Sequence, residues 1–119
     1  MFGTPRILAI LAHPGEESWA LGAVLARYVD EGARVHLVCA TRGEAAPFGS
    51  SRGAFPSAVL GRIREREMDA AVGILGLHEV EVLGYPDGGV ASVDPFRVQI
   101  ELAARIRRAR PHVVITWGP

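Results

Sequence analysis

The chain contains no lysine. All thirteen basic residues are arginine, and thirteen acidic residues balance them. That absence excludes lysine chemistry, including the phosphate-binding lysine of a Walker-type loop. A neutral chain also has no global pull toward nucleic acid or an anionic membrane surface. There is one cysteine, Cys39, which excludes an internal disulfide and a cysteine-only metal site. It lies in an apolar run and reads as a buried, inert thiol. No apolar run is long enough to span a bilayer. The run at residues 7–12 is too short for a secretory leader, so a cytoplasmic location is expected. Internal repeats and low-complexity tracts are missing too. What is present is a hydrophobic fraction of 49% over 119 residues, which suits one domain with a real core.

The apolar pattern alternates between strand and helix. Residues 6–12 form a continuous apolar run, as expected of a strand buried on both faces. Residues 17–31 carry Trp19-Ala20, Ala23-Val24 and Arg27-Tyr28 at helical spacing, and Gly32 stops that helix. Residues 34–40 form a second strand. Residues 41–57 are rich in Gly, Ser and Pro and read as loop. A second helix is expected over 58–77, with Val59, Ile63, Ala70, Ile74 and Leu77 as its apolar positions. A short strand at 80–83 is followed by the turn-rich stretch Gly84-Tyr85-Pro86-Asp87-Gly88-Gly89. Asp94 caps a third helix with Pro95 at its first position, and Pro111 closes it. Residues 112–117 form a fourth strand. The order β-α-β-α-β-α-β implies parallel strands with right-handed crossovers. The expected fold is a Rossmann-like α/β three-layer sandwich, strand order 3-2-1-4, ending after the fourth strand. Its switch point falls between strands 1 and 4, where open α/β sheets bind ligands.

The loop at that point reads His13-Pro14-Gly15-Glu16-Glu17. A dinucleotide there would need a glycine-rich turn. Pro14 removes a donor, and the carboxylates would repel phosphate. A metal ion fits the residue types better, because His and a carboxylate three residues apart can converge on one ion across a strand-to-helix turn. Catalytic zinc takes three protein ligands and keeps one position for water. His and carboxylate also accept other divalent ions. A third reading has no ligand, since carboxylates at a helix start favour the helix dipole.

Several segments, in order along the whole chain, resemble the LmbE-like, or PIG-L, N-acetylglucosaminyl deacetylases. They are the apolar strand leading into Ala12-His13-Pro14, the acidic pair and Leu21-Gly22-Ala23, and Thr41-Arg42-Gly43-Glu44. Arg64 with Glu67, Leu75-Gly76, Leu83 to Gly89, and Arg110-Pro111-His112 into strand 4 complete the set. The resemblance implies a zinc-dependent hydrolase that removes acetyl from an N-acetyl amino sugar or its conjugate, acting on a linear amide C–N bond. The family's opening loop is Ala-His-Pro-Asp-Asp-Glu. Its His and second Asp bind zinc, and its first Asp is the general base. A later His-Pro-Asp-His segment supplies the remaining ligand and a His that steadies the tetrahedral intermediate.

Carried onto this chain, the resemblance implies His13 and Glu16 as metal ligands and Arg64 and Asp87 as substrate-binding residues. Glu17 matches the helix-start glutamate, with a capping role. His36, His78 and His112 match no ligand position; they are expected to pack or hydrogen-bond around strands and a helix end. Two departures matter. Gly15 stands at the general-base position, so no catalytic base is assigned. The 119 residues also contain no His-Pro-Asp-His segment. The expectation is therefore a single domain over 1–119 that is the N-terminal part of such an enzyme, inactive or impaired alone, with zinc or another divalent metal weakly held or absent. The alternative is a non-catalytic binding domain on the same scaffold, a homo-oligomer assembled through the strand 4 edge or completed by a missing C-terminal part.

Overall fold

The computed structural model describes residues 3–45 and 55–118. The loop reading of residues 46–54 falls outside them. Four strands, β1 (Arg6–Leu11), β2 (Arg34–Cys39), β3 (Glu79–Val82) and β4 (Val113–Thr116), form one parallel sheet of order β3-β2-β1-β4. The expected topology and switch point are thus both present. The helices are α1 (Glu16–Trp19), α2 (Gly22–Asp30), α3 (Ser57–Leu75) and α4 (Pro95–Ala109), with a short 3₁₀ turn at Val90–Ser92 before α4.

Strand residues alternate between two covered faces. Ile7, Ala9 and Leu11 of β1 join Val35, Leu37 and Cys39 of β2 in the main core, closed by Leu25 of α2 and Met68 and Val72 of α3. Leu8 and Val38 are equally buried but outside that cluster. They line the opposite face with Glu79 and Glu81 of β3 and Arg105 and Arg108 of α4. This second layer is thin, because α4 buries no residue fully. Charge pairs tie it to β3: Arg105 pairs with Glu81, and Arg108 reaches Glu79 at 2.7 Å. The Arg105 side chain holds the Glu81 carboxyl below the usual range.

Local chemistry explains the element ends. Asp94 accepts from the Phe96 N–H at 3.1 Å with Pro95 behind it, so the expected cap is present. His78 and His112 each precede an outer strand and bond the inner one. Val35 N–H donates to His78 Nδ1, and Arg6 N–H donates to His112 Nδ1. Each ring thus supplies the first acceptor of a ladder that has not yet begun. Cys39 is fully buried, and burial pushes its thiol up to about 12.

Two expectations require correction. The first helix is two pieces broken at Ala20 and Leu21, and Trp19 ends the first piece 73% exposed instead of packing inward. In α3 the buried stripe is Leu60, Met68 and Val72, at multiples of four residues, whereas Ile74 is 87% exposed. Ile74 lies outside the arc that Leu60, Met68 and Val72 turn toward the sheet.

Candidate metal centre at the switch point

β1 ends at Leu11, and the chain turns through Ala12, His13, Pro14 and Gly15 into α1. Gly15 makes this turn feasible: its φ is +103°, where L side chains are strained. Glu16 then folds back over the loop. Its Oε2 accepts from the N–H groups of Ala12 (2.9 Å) and His13 (3.1 Å). Those donors lie beyond the end of the strand ladder, where an unpaired buried N–H is costly. Glu17 also turns inward. It is 1% exposed, accepts from Gly15 N–H at 2.7 Å and receives the Ser18 hydroxyl. Its carboxylate satisfies an N–H of the helix start, in keeping with the expected capping role.

The remaining oxygen of Glu16 faces His13. Nδ1 of His13 lies 3.1 Å from Glu16 Oε1, and Nε2 lies 3.0 Å from Asp87 Oδ1. The imidazole is therefore held between two carboxylates from separate loops. Burial pushes the Glu16 carboxyl upward. Hydrogen bonding from the Trp117 side chain, the His13 ring and the two backbone N–H groups outweighs this and holds it below the usual range. Trp117, just past β4, also stacks on Trp19 with centroids 5.9 Å apart. The two Trp rings thus join α1 to the segment after β4 across the switch point.

A second clamp fixes Asp87. Its Oδ2 accepts from Ala45 N–H at 2.9 Å, and its own N–H donates to Glu44 Oε1 at 3.0 Å. Thr41 ties this loop back to the first one by donating to the Ala12 carbonyl at 2.9 Å and accepting from Gly43 N–H. Gly43, at φ +67°, lets the loop approach α3 closely: a Cβ there would sit 3.0 Å from Arg64 Cδ and 3.3 Å from Pro14 Cδ. Arg64 lines a separate cavity of about 130 Å³ with Gly15, Glu17 and Glu67.

The sequence-derived residues are therefore brought together unevenly. His13, Glu16 and Asp87 are in contact. Arg64 stands beside the loop, on the side of Glu17. His36 sits on the opposite sheet face near Glu79, 3.4 Å away. Thr41, Glu44 and Trp117 had no individual role in the sequence reading. The motif Thr41-Arg42-Gly43-Glu44 is the signal for the first two, and Trp117 is marked only by its place at the end of strand 4, the other side of the switch point.

Two ligands of one tetrahedral zinc, each about 2.0–2.1 Å from it, stand roughly 3.3 Å apart. The 3.1 Å between His13 Nδ1 and Glu16 Oε1 matches that separation. The pair fits two corners of such a site. Among the described residues, no group of three or more His, Cys, Asp or Glu is placed to hold an ion.

Comparison with known proteins settles the ancestry. The family described as PIG-L, GlcNAc-PI de-N-acetylase, matches residues 8–119. The chain belongs to the PIG-L family. A Mycobacterium tuberculosis relative named 1D-myo-inositol 2-acetamido-2-deoxy-alpha-D-glucopyranoside deacetylase is 37% identical, with 100% of this chain and 46% of that protein aligned. This PIG-L chain thus spans about half the length of the curated relatives it matches. Among solved structures, N,N'-diacetylchitobiose deacetylase from Pyrococcus horikoshii aligns with TM-score 0.77 and 25% identity, covering 92% of this chain and 39% of that one. GalB, a 4-carboxy-2-hydroxymuconate hydratase from Pseudomonas putida KT2440, aligns with TM-score 0.78 and 28% identity, covering 93% and 46%. One scaffold therefore carries both a deacetylase and a hydratase, so the reaction must be argued from the site. No helix among the described residues is long and apolar enough to cross a membrane.

Proposed function

We propose that this chain carries the first-loop half of a metal-dependent N-deacetylase site for N-acetylglucosamine-type conjugates, and that it is catalytically impaired as it stands. The observation that carries the impairment is Gly15. It occupies the position of the family's general base, has no group to take a proton, and holds a backbone conformation suited to glycine. His13 and Glu16 are the residues that would hold zinc or another divalent ion. When bound, such an ion supplies Lewis acidity toward an acetamide carbonyl and the attacking water. Glu16 stays ionised and fixed through its backbone donors, and Arg64 offers a cation beside the loop for sugar hydroxyls. Glu17 does not stand in for the absent base, because both of its oxygens are engaged within the turn. The 37% identity to a deacetylase of a 2-acetamido-glucopyranoside supports the substrate class.

The test is acetate release from an N-acetylglucosaminyl conjugate by the purified chain with added zinc. No turnover above the protein-free control is expected. Chelator-sensitive turnover would overturn the impairment.

A second reading, a non-catalytic domain that assembles through its sheet edge, draws on β4. That strand pairs only with β1 among the described residues, and Val113 and Val114 are 52% and 43% exposed. A bare, uncharged, β-branched edge invites pairing. Light scattering at tens of micromolar should then give a dimer or larger species; a monodisperse monomer would exclude it.

A further inference from the structure

We propose that Trp19 and Trp117 form an aromatic platform at the mouth of the site, on which the pyranose ring of the substrate stacks against the outer face of Trp19. The inference rests on the N-acetylglucosamine-type substrate class proposed above. Trp19 and Trp117 are the chain's two tryptophans. They stand 73% and 50% exposed and against one another, with ring centroids 5.9 Å apart and planes inclined by 28°. Scattered exposed apolar side chains are ordinary on a folded surface. Two indoles placed together are not scattered, and a contiguous patch of this kind marks a binding surface. Its place shows what it serves. Trp19 Cδ1 lies 3.9 Å from where a Cβ on Gly15 would stand, and the Trp117 side chain hydrogen-bonds Glu16. The patch therefore borders the loop that carries His13 and Glu16.

The chemistry of the rings selects the occupant. An indole presents a negative π face, and a β-glycoside of N-acetylglucosamine presents a flat face of axial C–H bonds whose hydrogens are slightly positive. The two faces match in shape and sign, while the hydroxyls at the rim of the sugar stay in water. The spacing of the rings fixes the side. A sugar held between the two indoles would need about 7–8 Å, two carbon contacts of about 3.5–4.0 Å each, which exceeds the 5.9 Å between them. The sugar therefore takes an outer face, and Trp19 is the more open of the two. Trp117 backs it. An offset stack at this distance holds the Trp19 ring in place before the ligand arrives, which lowers the ordering cost of binding. A pyranose lying there stands beside Gly15, so its acetamido group can turn toward the loop. The contact is distinct from Arg64, which lines a cavity on the Glu17 side that neither tryptophan lines.

The experiment titrates the full chain, without metal, with the methyl β-glycoside of N-acetylglucosamine and reads tryptophan emission, excited where tyrosine does not absorb. A saturable shift is expected, and saturation-transfer NMR from the indole protons should reach the axial C–H face of the sugar. Trp19→Ala, still read through Trp117, should bind about tenfold more weakly. Trp19→Phe, which keeps a flat ring, should lose less. Sorbitol, an acyclic polyol with no such face, should give no shift. No saturable response in the natural chain, equal affinity in Trp19→Ala, or an equal response to sorbitol would overturn the proposal. A shift that follows protein concentration and ignores sugar would show a second copy covering the rings, and would overturn it too. Should Trp19→Ala fail to fold, Trp19→Phe and the saturation transfer decide. Methyl β-glucoside, which lacks the acetamide, should bind more weakly than the acetamido sugar. Equal affinity for the two glycosides, both weakened by Trp19→Ala, would sink the N-acetyl substrate reading and leave the platform standing. A preference for the acetamido sugar that Trp19→Ala leaves untouched would do the reverse.

Discussion

Gly15→Asp should bring acetate release above the protein-free control, which the natural chain is expected not to exceed, by up to the about 10²–10⁴-fold that a general base contributes. It should also lower stability by about 1–3 kcal/mol, the cost of a non-glycine residue in a sparsely allowed backbone region. The two effects have different origins. Room for a side chain exists: a Cβ at position 15 meets only Trp19 Cδ1, at an ordinary 3.9 Å. The stability loss is therefore a backbone effect of φ +103°, and Asp tolerates positive φ better than most residues. Gly15→Ala is the control, since it carries the strain without the carboxylate. Acetate assays and thermal melts on both variants separate the effects. Asp more active than Ala, with both melting lower than the natural chain, is the expected pattern. An Asp variant as inactive as the Ala variant would show that the missing base is not what limits this chain.

The scaffold was legible in the sequence because its signals are local. Ile7 to Leu11 is a continuous apolar run, Val35 to Cys39 is apolar except for His36, Asp94-Pro95 is a complete helix start, and Gly76 ends α3 in the left-handed conformation a helix stop requires. The break at Ala20 and Leu21 was not legible. Apolar spacing continues through it from Trp19 to Val24, so periodicity reports one helix. The break follows a turn shaped by Gly15 and the inward Glu17, which depends on backbone dihedrals and burial. The site was half legible for a related reason. His13 and Glu16 are three residues apart, and sequence spacing alone suggests their convergence. The contact of Asp87 with His13 spans three loops. It depends on sheet order placing β1 and β2 side by side, and on the Glu44–Asp87 clamp closing across β2 and β3. Trp117 reaches Glu16 only because β4 lies next to β1 in the sheet, a pairing between residues at opposite ends of the chain.

Glu16 is where fold and chemistry meet, and its replacement should have the largest effect on stability in the site. Glu16→Ala removes the acceptor of two backbone N–H groups at a site 8% exposed. Leaving such donors unsatisfied should cost about 2–6 kcal/mol in total, given about 1–3 kcal/mol for each stranded group. Zinc affinity should vanish with it. Glu16→Gln separates charge from shape. Its carbonyl oxygen can still accept from both N–H groups, so stability should fall by only about 1 kcal/mol, while the ligand oxygen facing His13 is lost. The pH dependence gives the sign of the charge contribution. The Glu16 carboxyl lies below its ordinary value of 4.5 in the folded chain, because its hydrogen bonds outweigh the upward push of burial. The folded state therefore binds fewer protons than the unfolded one as pH falls toward and below that value. The resulting stabilisation is fully present above 4.5 and is lost as pH falls through the lower folded value. Urea midpoints of the natural chain and Glu16→Gln, measured without metal, should differ most near neutrality and converge as the medium is acidified below 4.5. A gap that stays constant through that window would mean that the carboxylate holds the loop by its shape alone, and the ionised ligand assigned to position 16 would lose its support.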